Sequence, residues 1–233
     1  MRDYKVTVRH YANTHLRPRF SDIQEDNKRY YPLYMLIIYM RKNTQIRSTI
    51  KAWVSAAGAQ ELVETGRPYD DEYIANDIED IGKEIVRERQ QVVGIIEAWK
   101  KVVGKDVPIP FGDIDFPKLM AVASLSAREY TAAVIWQYAK LQAERCGSVR
   151  IPSFIDGINT HYTLKELQSR CGRLAPSLPY DVLTFWDSVQ RSIPEDVDIF
   201  EWYAKDLYIG EELEKLLTEA IRKTLTTDCN GIY

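Results

Sequence analysis

The 233-residue chain has 45% hydrophobic and 28% charged residues and a formal net charge of −3. That is enough apolar material for one large or two small domains, and it excludes a disordered chain, a collagen-like chain and a small disulfide scaffold. The cysteines, Cys146, Cys171 and Cys229, are odd in number and too widely spaced for a disulfide framework or a zinc motif, and they fit a reducing cytoplasm.

Charge is spread unevenly. Residues 1–60 hold eleven Lys and Arg against four acids, a net of +7, and residues 61–233 carry the remaining −10. A basic front on an acidic body points that front toward a polyanion; the bland alternative is that its charges pair with the acidic body. No apolar stretch follows Met1-Arg2-Asp3, so no signal peptide is expected. The longest apolar run, residues 33–40, is far short of the roughly 20 residues a membrane helix needs. A cytoplasmic protein without membrane contact is expected.

The first sixty residues read as β. Residues 4–10 alternate Tyr4, Val6 and Val8 with Lys5, Thr7 and Arg9, a half-buried strand. Residues 11–31 are polar and form a long connection. Residues 33–41, after Pro32, are rich in Ile, Leu and Tyr and make a second strand. Lys42-Asn43 reads as a tight turn, and residues 44–54 alternate again as a third strand. Gly66-Arg67-Pro68 then breaks the chain. Ile74, Ile78, Ile81, Ile85, Val92, Ile96 and Trp99 predict one long amphipathic helix over 71–103, with Glu88 marking a bend or a change of partner. Residues 104–117, with three prolines and two glycines, are the expected domain boundary. Beyond them lie a capping box at Ser126-Ala127-Arg128-Glu129 opening a helix, a loop over 147–163, and a second capping box at Thr163-Leu164-Lys165-Glu166. Three further helices are expected over 181–190, 195–208 and 211–225. The fold class is therefore α+β: a three-stranded antiparallel sheet on a long helix over 1–104, then an acidic all-helical domain over 105–233.

Strand, polar connection, strand, basic hairpin, strand, long helix: this order resembles the amino-terminal arm-type DNA-binding domain of tyrosine recombinases, most closely integrases of Bacteroides-type mobile elements. The residues that carry the resemblance are Lys5-Val6-Thr7-Val8-Arg9, the run from Tyr31-Pro32 to Tyr39, Arg41-Lys42, Arg47-Ser48-Thr49-Ile50-Lys51 and Asn76-Asp77-Ile78. It spans about residues 4–100. The resemblance implies a sheet that enters the major groove of double-stranded DNA, with the helix behind it. On that reading Lys5, Thr7, Arg9, Gln45, Arg47, Thr49 and Lys51 face DNA, and Arg41 and Lys42 at the hairpin tip meet phosphates. Arg47 and Gln45 are the candidates for base edges.

With Lys42-Asn43 as the turn, Arg47 falls opposite Ile38, Thr49 opposite Leu36 and Gln45 opposite Met40. The same face then carries Leu36, Ile38 and Met40, an apolar stripe that would be costly to leave wet, at ~25 cal/mol per Å². These three residues are the candidate protein interface, and a protein-interaction module without DNA binding is the alternative function. The acidic helical part suits a protein partner better than DNA.

The recombinase reaction needs a tyrosine nucleophile and a His-x-x-Arg element. Three residues after His10, His15 and His161 stand Asn13, Pro18 and Leu164, so no catalysis by that route is expected, and Tyr233 lacks the surroundings of a nucleophile. No cofactor is expected. The carboxylate groups at Asp70-Asp71-Glu72, Asp113 with Asp115, and Glu195-Asp196 with Asp198 read as solvated helix caps rather than metal sites. Residues 163–172 resemble half of a helix-turn-helix only faintly, and a plain capped helix is the simpler reading. Trp99 and Trp136 fall on apolar helix faces and are expected in the core.

Overall fold

The structure, a computed structural model, describes residues 4–20, 28–70, 72–75, 78–145, 184–185, 188–189, 191–194, 196–205 and 209–226. The chain forms two compact units, Met1–Ala121 and Val122–Thr227, and the division falls inside a helix rather than after Gly104. Residues 105–115 belong with the first unit because its core holds them. Trp99 Nε1 donates to the Val107 carbonyl at 3.0 Å, Tyr39 Oη reaches the Lys105 carbonyl at 3.4 Å, and Ile109 is buried.

The first unit is α+β, with an antiparallel sheet of six strands rather than three: β1 (Thr7–Ala12), β2 (Arg19–Phe20), β3 (Arg29–Tyr39), β4 (Lys42–Arg47), β5 (Ala52–Ser55) and β6 (Tyr73–Ala75). The 11-residue β3 is the spine. Its C-terminal part lies between β1 and β4, and its N-terminal part pairs with β2 and β5. The expected third strand is broken in two. Arg47 lies opposite Tyr34, but Trp53 lies opposite Pro32, so an advance of six residues on one side matches two on the other, and residues 49–51 bulge out after Ser48 N donates to the Leu33 carbonyl at 3.0 Å.

The hairpin turn is Met40-Arg41, with both residues left-handed at φ 50° and 63°, and Lys42-Asn43 belongs to β4. The ladder stops there because its last inward residue, Tyr39, is the last one that the helix behind it covers. Lys100, in that helix's final turn, sits 5.5 Å from the Tyr39 ring centre. Arg47 therefore pairs with Tyr34, not Ile38, and Gln45 with Leu36, not Met40. The shift is even, so each side chain keeps its face.

Two helices back the sheet. In α1 (Ala56–Thr65), Ser55 Oγ accepts from the Gly58 amide and Gly66 ends the helix in the left-handed conformation. Glu72 is not a solvated cap. It accepts from Lys28 Nζ at 2.6 Å and from Ser55 Oγ, fastening the start of α1 to the chain ahead of β6. Helix α2 (Ile81–Val102) starts later than expected, because β6 occupies 73–75 and Asp80 Oδ1 caps the Gly82 and Lys83 amides. Its apolar stripe of Ile81, Ile85, Val92, Ile95, Ile96 and Trp99 is buried, each side chain contributing about 1.5–3 kcal/mol. The stripe runs unbroken through Glu88, which neither bends the helix nor faces water. Asn76 and Asp77 lie outside the described residues.

Helix α3 (Phe116–Ala123) spans the division, and Asp115 Oδ1 caps its Lys118 amide as expected. In the second unit the Ser126–Glu129 capping box forms in both directions and opens α4 (Ala127–Arg145). Trp136 is buried there, as Trp99 is in the first unit. The helix expected over 195–208 is the shorter α5 (Ile199–Ala204), because residues 197–198 run extended beside the start of α4: Ala127 N donates to the Val197 carbonyl and Ser126 bridges to Asp198. Helix α6 (Glu211–Thr226) buries Leu213, Leu217, Ile221 and Leu225 along one face. Tyr130 Oη meets Thr224 Oγ1 at 2.8 Å, joining α4 to α6. The second capping box, the helix-turn-helix resemblance and Tyr233 lie outside the described residues, as does most of the helix expected over 181–190. No helix among the described residues is long and apolar enough to cross a membrane.

Candidate functional site

Strands alternate faces, so the ladder of β1, β3 and β4 separates two sets of side chains. The inward set includes His10, Ala12, Leu33, Met35, Ile37 and Tyr39, all buried. The outward set forms three rows across the sheet: Thr7, Ile38 and Asn43; then Arg9, Leu36 and Gln45; then Tyr11, Tyr34 and Arg47. With strands about 4.8 Å apart and same-face residues about 6.8 Å apart along each strand, the nine Cβ positions cover roughly 10 by 14 Å.

Arg9, Asn43, Gln45 and Arg47 are exposed at the sides of this face, while Leu36, Ile38, Tyr11 and Tyr34 are half-buried among them. Tyr11 donates its hydroxyl to Gln45 Oε1 at 3.0 Å across β3, and its ring tilts against Tyr34 at 6.1 Å. Burial, and then the neighbouring Tyr34, push the Tyr11 hydroxyl pKa up, so it stays a donor. Lys5 is exposed just before β1, and Arg41 and Lys42 are exposed at the hairpin tip. None of the nine outward positions is acidic. Among the described residues, Lys5, Arg9, Arg41, Lys42 and Arg47 have no carboxylate partner.

The structure thus brings Thr7, Arg9, Gln45 and Arg47 to one face, with Arg41 and Lys42 at its hairpin end, whereas Lys5 lies before β1 and outside the ladder. It does not bring Thr49 and Lys51 there, because they stand in the bulge after β4. Thr49 is turned to α2, and Lys51 lines a cleft with Asp80 and Lys83. Of the expected apolar stripe, Leu36 and Ile38 occupy the centre of the face, whereas Met40 is in the turn. Tyr11, Tyr34 and Asn43 were missed. β1 runs over Thr7–Ala12, beginning three residues later and ending two residues later than the expected strand over 4–10, which brings Tyr11 into the ladder.

Behind this face lies a polar cluster that the sequence does not announce. Glu88, 2% exposed, accepts from His10 Nε2 (2.7 Å), Ser48 Oγ (2.6 Å), Thr49 N (2.6 Å) and Thr49 Oγ1 (2.6 Å). Arg89 Nε donates to His10 Nδ1 at 3.3 Å, which places the imidazole proton on Nε2, toward Glu88. Burial pushes the Glu88 carboxyl up, but its donors outweigh that and hold its pKa below the ordinary carboxylate range. One carboxylate therefore ties β1, the bulge and α2 together. The set does not form a nucleophilic triad. Ser48 Oγ donates to Glu88 rather than to His10, and both imidazole nitrogens are engaged.

Among the described residues no cluster of three or more His, Cys, Asp or Glu side chains is arranged to hold a metal ion. Comparison of the chain with protein-family models, with characterised proteins and with solved structures yields no match.

Proposed function

We propose that the outward face of β1, β3 and β4 binds double-stranded DNA, as the sheet of an arm-type domain does in tyrosine recombinases, and that the chain acts as a non-catalytic DNA-binding protein of the cytoplasm. The observation that carries this reading is a face about 10 Å wide with Arg9 and Arg47 on it, Arg41 and Lys42 at its hairpin end and no acid at its nine outward positions, where among the described residues these cations have no carboxylate partner and α1 and α2 back the opposite side. The major groove, about 12 Å wide, admits a small β structure. Arg47 suits a guanine edge through its two-pronged guanidinium, and Leu36 and Ile38 suit thymine methyl groups. Gln45 has part of its acceptor capacity taken by Tyr11, which leaves its NH2 as the free group and favours purine acceptors. The hairpin tip supports the reading too. Non-glycine residues in the left-handed region cost about 1–2 kcal/mol each, and the Met40-Arg41 turn places an exposed cation at the hairpin tip. The second unit would meet a protein partner.

Five phosphate-neutralising cations predict a slope of about −4.5 in log K against log salt on random duplex. Arg47→Ala should weaken binding to a preferred site by about 1–3 kcal/mol, and Lys42→Ala should weaken all duplexes alike and reduce the salt slope by about 1. Variants that titrate like the parent would overturn the groove-facing assignment. The half-buried patch of Tyr11, Tyr34, Leu36 and Ile38 favours a second reading, a protein-binding face. A parent that ignores DNA but loses an oligomer on Ile38→Glu, read by size-exclusion chromatography, would establish it.

A further inference from the structure

A separate cavity of about 460 Å³ opens between the C-terminal end of α1 and the first turns of α2. Four cationic side chains line it, Arg67, Lys83, Arg87 and Arg89, against one carboxylate, Asp80. Asp80 Oδ1 already caps the α2 amides, and its other oxygen stands 3.8 Å from Lys83 Nζ. Among the described residues, Arg67, Arg87 and Arg89 have no carboxylate within ion-pair distance. The helix termini do not supply the missing charge: the roughly −0.5 at the end of α1 is offset by the roughly +0.5 at the start of α2.

Arg89 is the most informative of the four. Its guanidinium is half-buried, and burial pushes its pKa down with no opposing charge to restore it. Only Nε is engaged with a side chain, at His10 Nδ1, so its terminal nitrogens keep their donors. Nη1 lies near the left-handed Gly66, 3.6 Å from where a Cβ would stand. A partly desolvated guanidinium beside two unpaired arginines is costly unless an anion completes the set.

We propose that this cavity binds a phosphate dianion, either free or at the end of a small molecule, with Arg67, Arg87 and Arg89 as its hydrogen-bonding ligands and Lys83 at its rim. A phosphate monoester carries close to two charges at neutral pH and three acceptor oxygens, which suits a recess lined by several guanidinium groups. The phosphodiesters of a duplex carry one charge each and lie on a convex surface, so they fit a recess between two helices poorly. The cavity volume also leaves room for more than the phosphate itself, within the range of small-molecule sites. The site stands apart from the sheet's outward face and does not depend on DNA binding there.

The test is titration calorimetry on the intact chain at low salt, with inorganic phosphate and adenosine monophosphate as separate probes. Saturable binding of at least one is expected. Binding of both identifies an esterified phosphate as the fitting ligand, and binding of inorganic phosphate alone identifies the free ion. Arg67→Gln and Arg87→Gln, both at exposed positions, should each weaken binding about tenfold without moving the urea midpoint, while Arg47→Gln should leave it unchanged. The proposal is overturned if neither probe binds, if the cavity variants bind as the parent does, if Arg47→Gln weakens binding equally, or if a duplex without terminal phosphates displaces the probe.

Discussion

Replacing Glu88 tests the packing logic of the whole first unit. The carboxylate satisfies four donors, and three of its four bonds are 2.6 Å long. Glu88→Gln keeps the shape but puts an NH2 where one oxygen stood, so two of the four donors face a donor. An orphaned buried donor costs about 1–3 kcal/mol, and the Thr49 pair is close enough to water to fall at the low end of that range. The expected loss is about 2–4 kcal/mol for Gln. Glu88→Leu strands all four donors and should cost about 4–8 kcal/mol, with the Thr49 pair at the low end of the range for each orphaned donor and the buried His10 and Ser48 donors across it. For a chain of this length a loss of 3 kcal/mol lowers Tm by about 6–12 °C. Urea unfolding followed by tryptophan fluorescence reads the difference, provided the m-value is unchanged. A loss below about 1 kcal/mol for the leucine variant would mean that the cluster is not a structural tie, and the bulge would then need another explanation.

The same carboxylate sets a pH dependence whose sign follows from its depressed pKa. A group with a folded pKa below its unfolded value stabilises the fold fully above the unfolded value, near 4.5, and loses that contribution as pH falls through the folded value. The gap in stability between the parent and Glu88→Gln should therefore hold steady from neutral pH down to about 5 and shrink below it. A gap that stays constant down to pH 3 would refute the assignment of an ionised, hydrogen-bonded Glu88.

Other substitutions separate local propensity from tertiary contact. Gly58→Ala should destabilise by about 1–3 kcal/mol in thermal unfolding although alanine is the better helix former, because a Cβ there would stand 2.7 Å from Glu72 Cβ and 2.8 Å from the Glu72 carbonyl oxygen. A stabilised variant would show that this approach is not as close as it stands. Arg41→Gly should raise stability by about 1 kcal/mol by relieving the left-handed turn, while lowering DNA affinity and reducing the salt slope by about 1. Parallel gains in both would contradict a phosphate contact at the tip. Ser126→Ala should cost about 0.5–2 kcal/mol in the second unit, since it removes the side-chain half of the α4 capping box, and calorimetric scanning reads it.

The elements legible in the sequence are those whose signal is local. Alternation identified β1, because a strand buried on one side repeats every two residues regardless of its partners, and the β-branched and aromatic content of the Leu33–Tyr39 run after Pro32 identified the core of β3. The Ser126–Glu129 box fixed the start of α4, since both partners of a capping box lie within one turn. What was misread depends on distant residues. Lys42-Asn43 has the better turn composition, yet the turn forms at Met40-Arg41 because the end of α2 decides how far the hairpin is supported. Residues 44–54 alternate throughout, but no pattern within them shows that the chain leaves the ladder after Ser48, where Ser48 and Thr49 reach a carboxylate 40 and 39 residues away.

Glu88 shows why the site itself was only half legible. On an isolated helix an acid within an apolar stripe reads as a fault, because a lone buried carboxylate is costly. It ceases to be one when a histidine from β1 and two hydroxyls and an amide from the bulge converge on it. The fault in α2 and the break between β4 and β5 along β3 therefore have the same origin, and each explains the other. The bulge also removes Thr49 and Lys51 from the outward face and ends that face at Arg47, so one buried carboxylate sets the boundary of the outward surface of the sheet. A substitution at Glu88 that leaves the chain folded should consequently change the outline of that surface at its Arg47 end first, farthest from the hairpin tip.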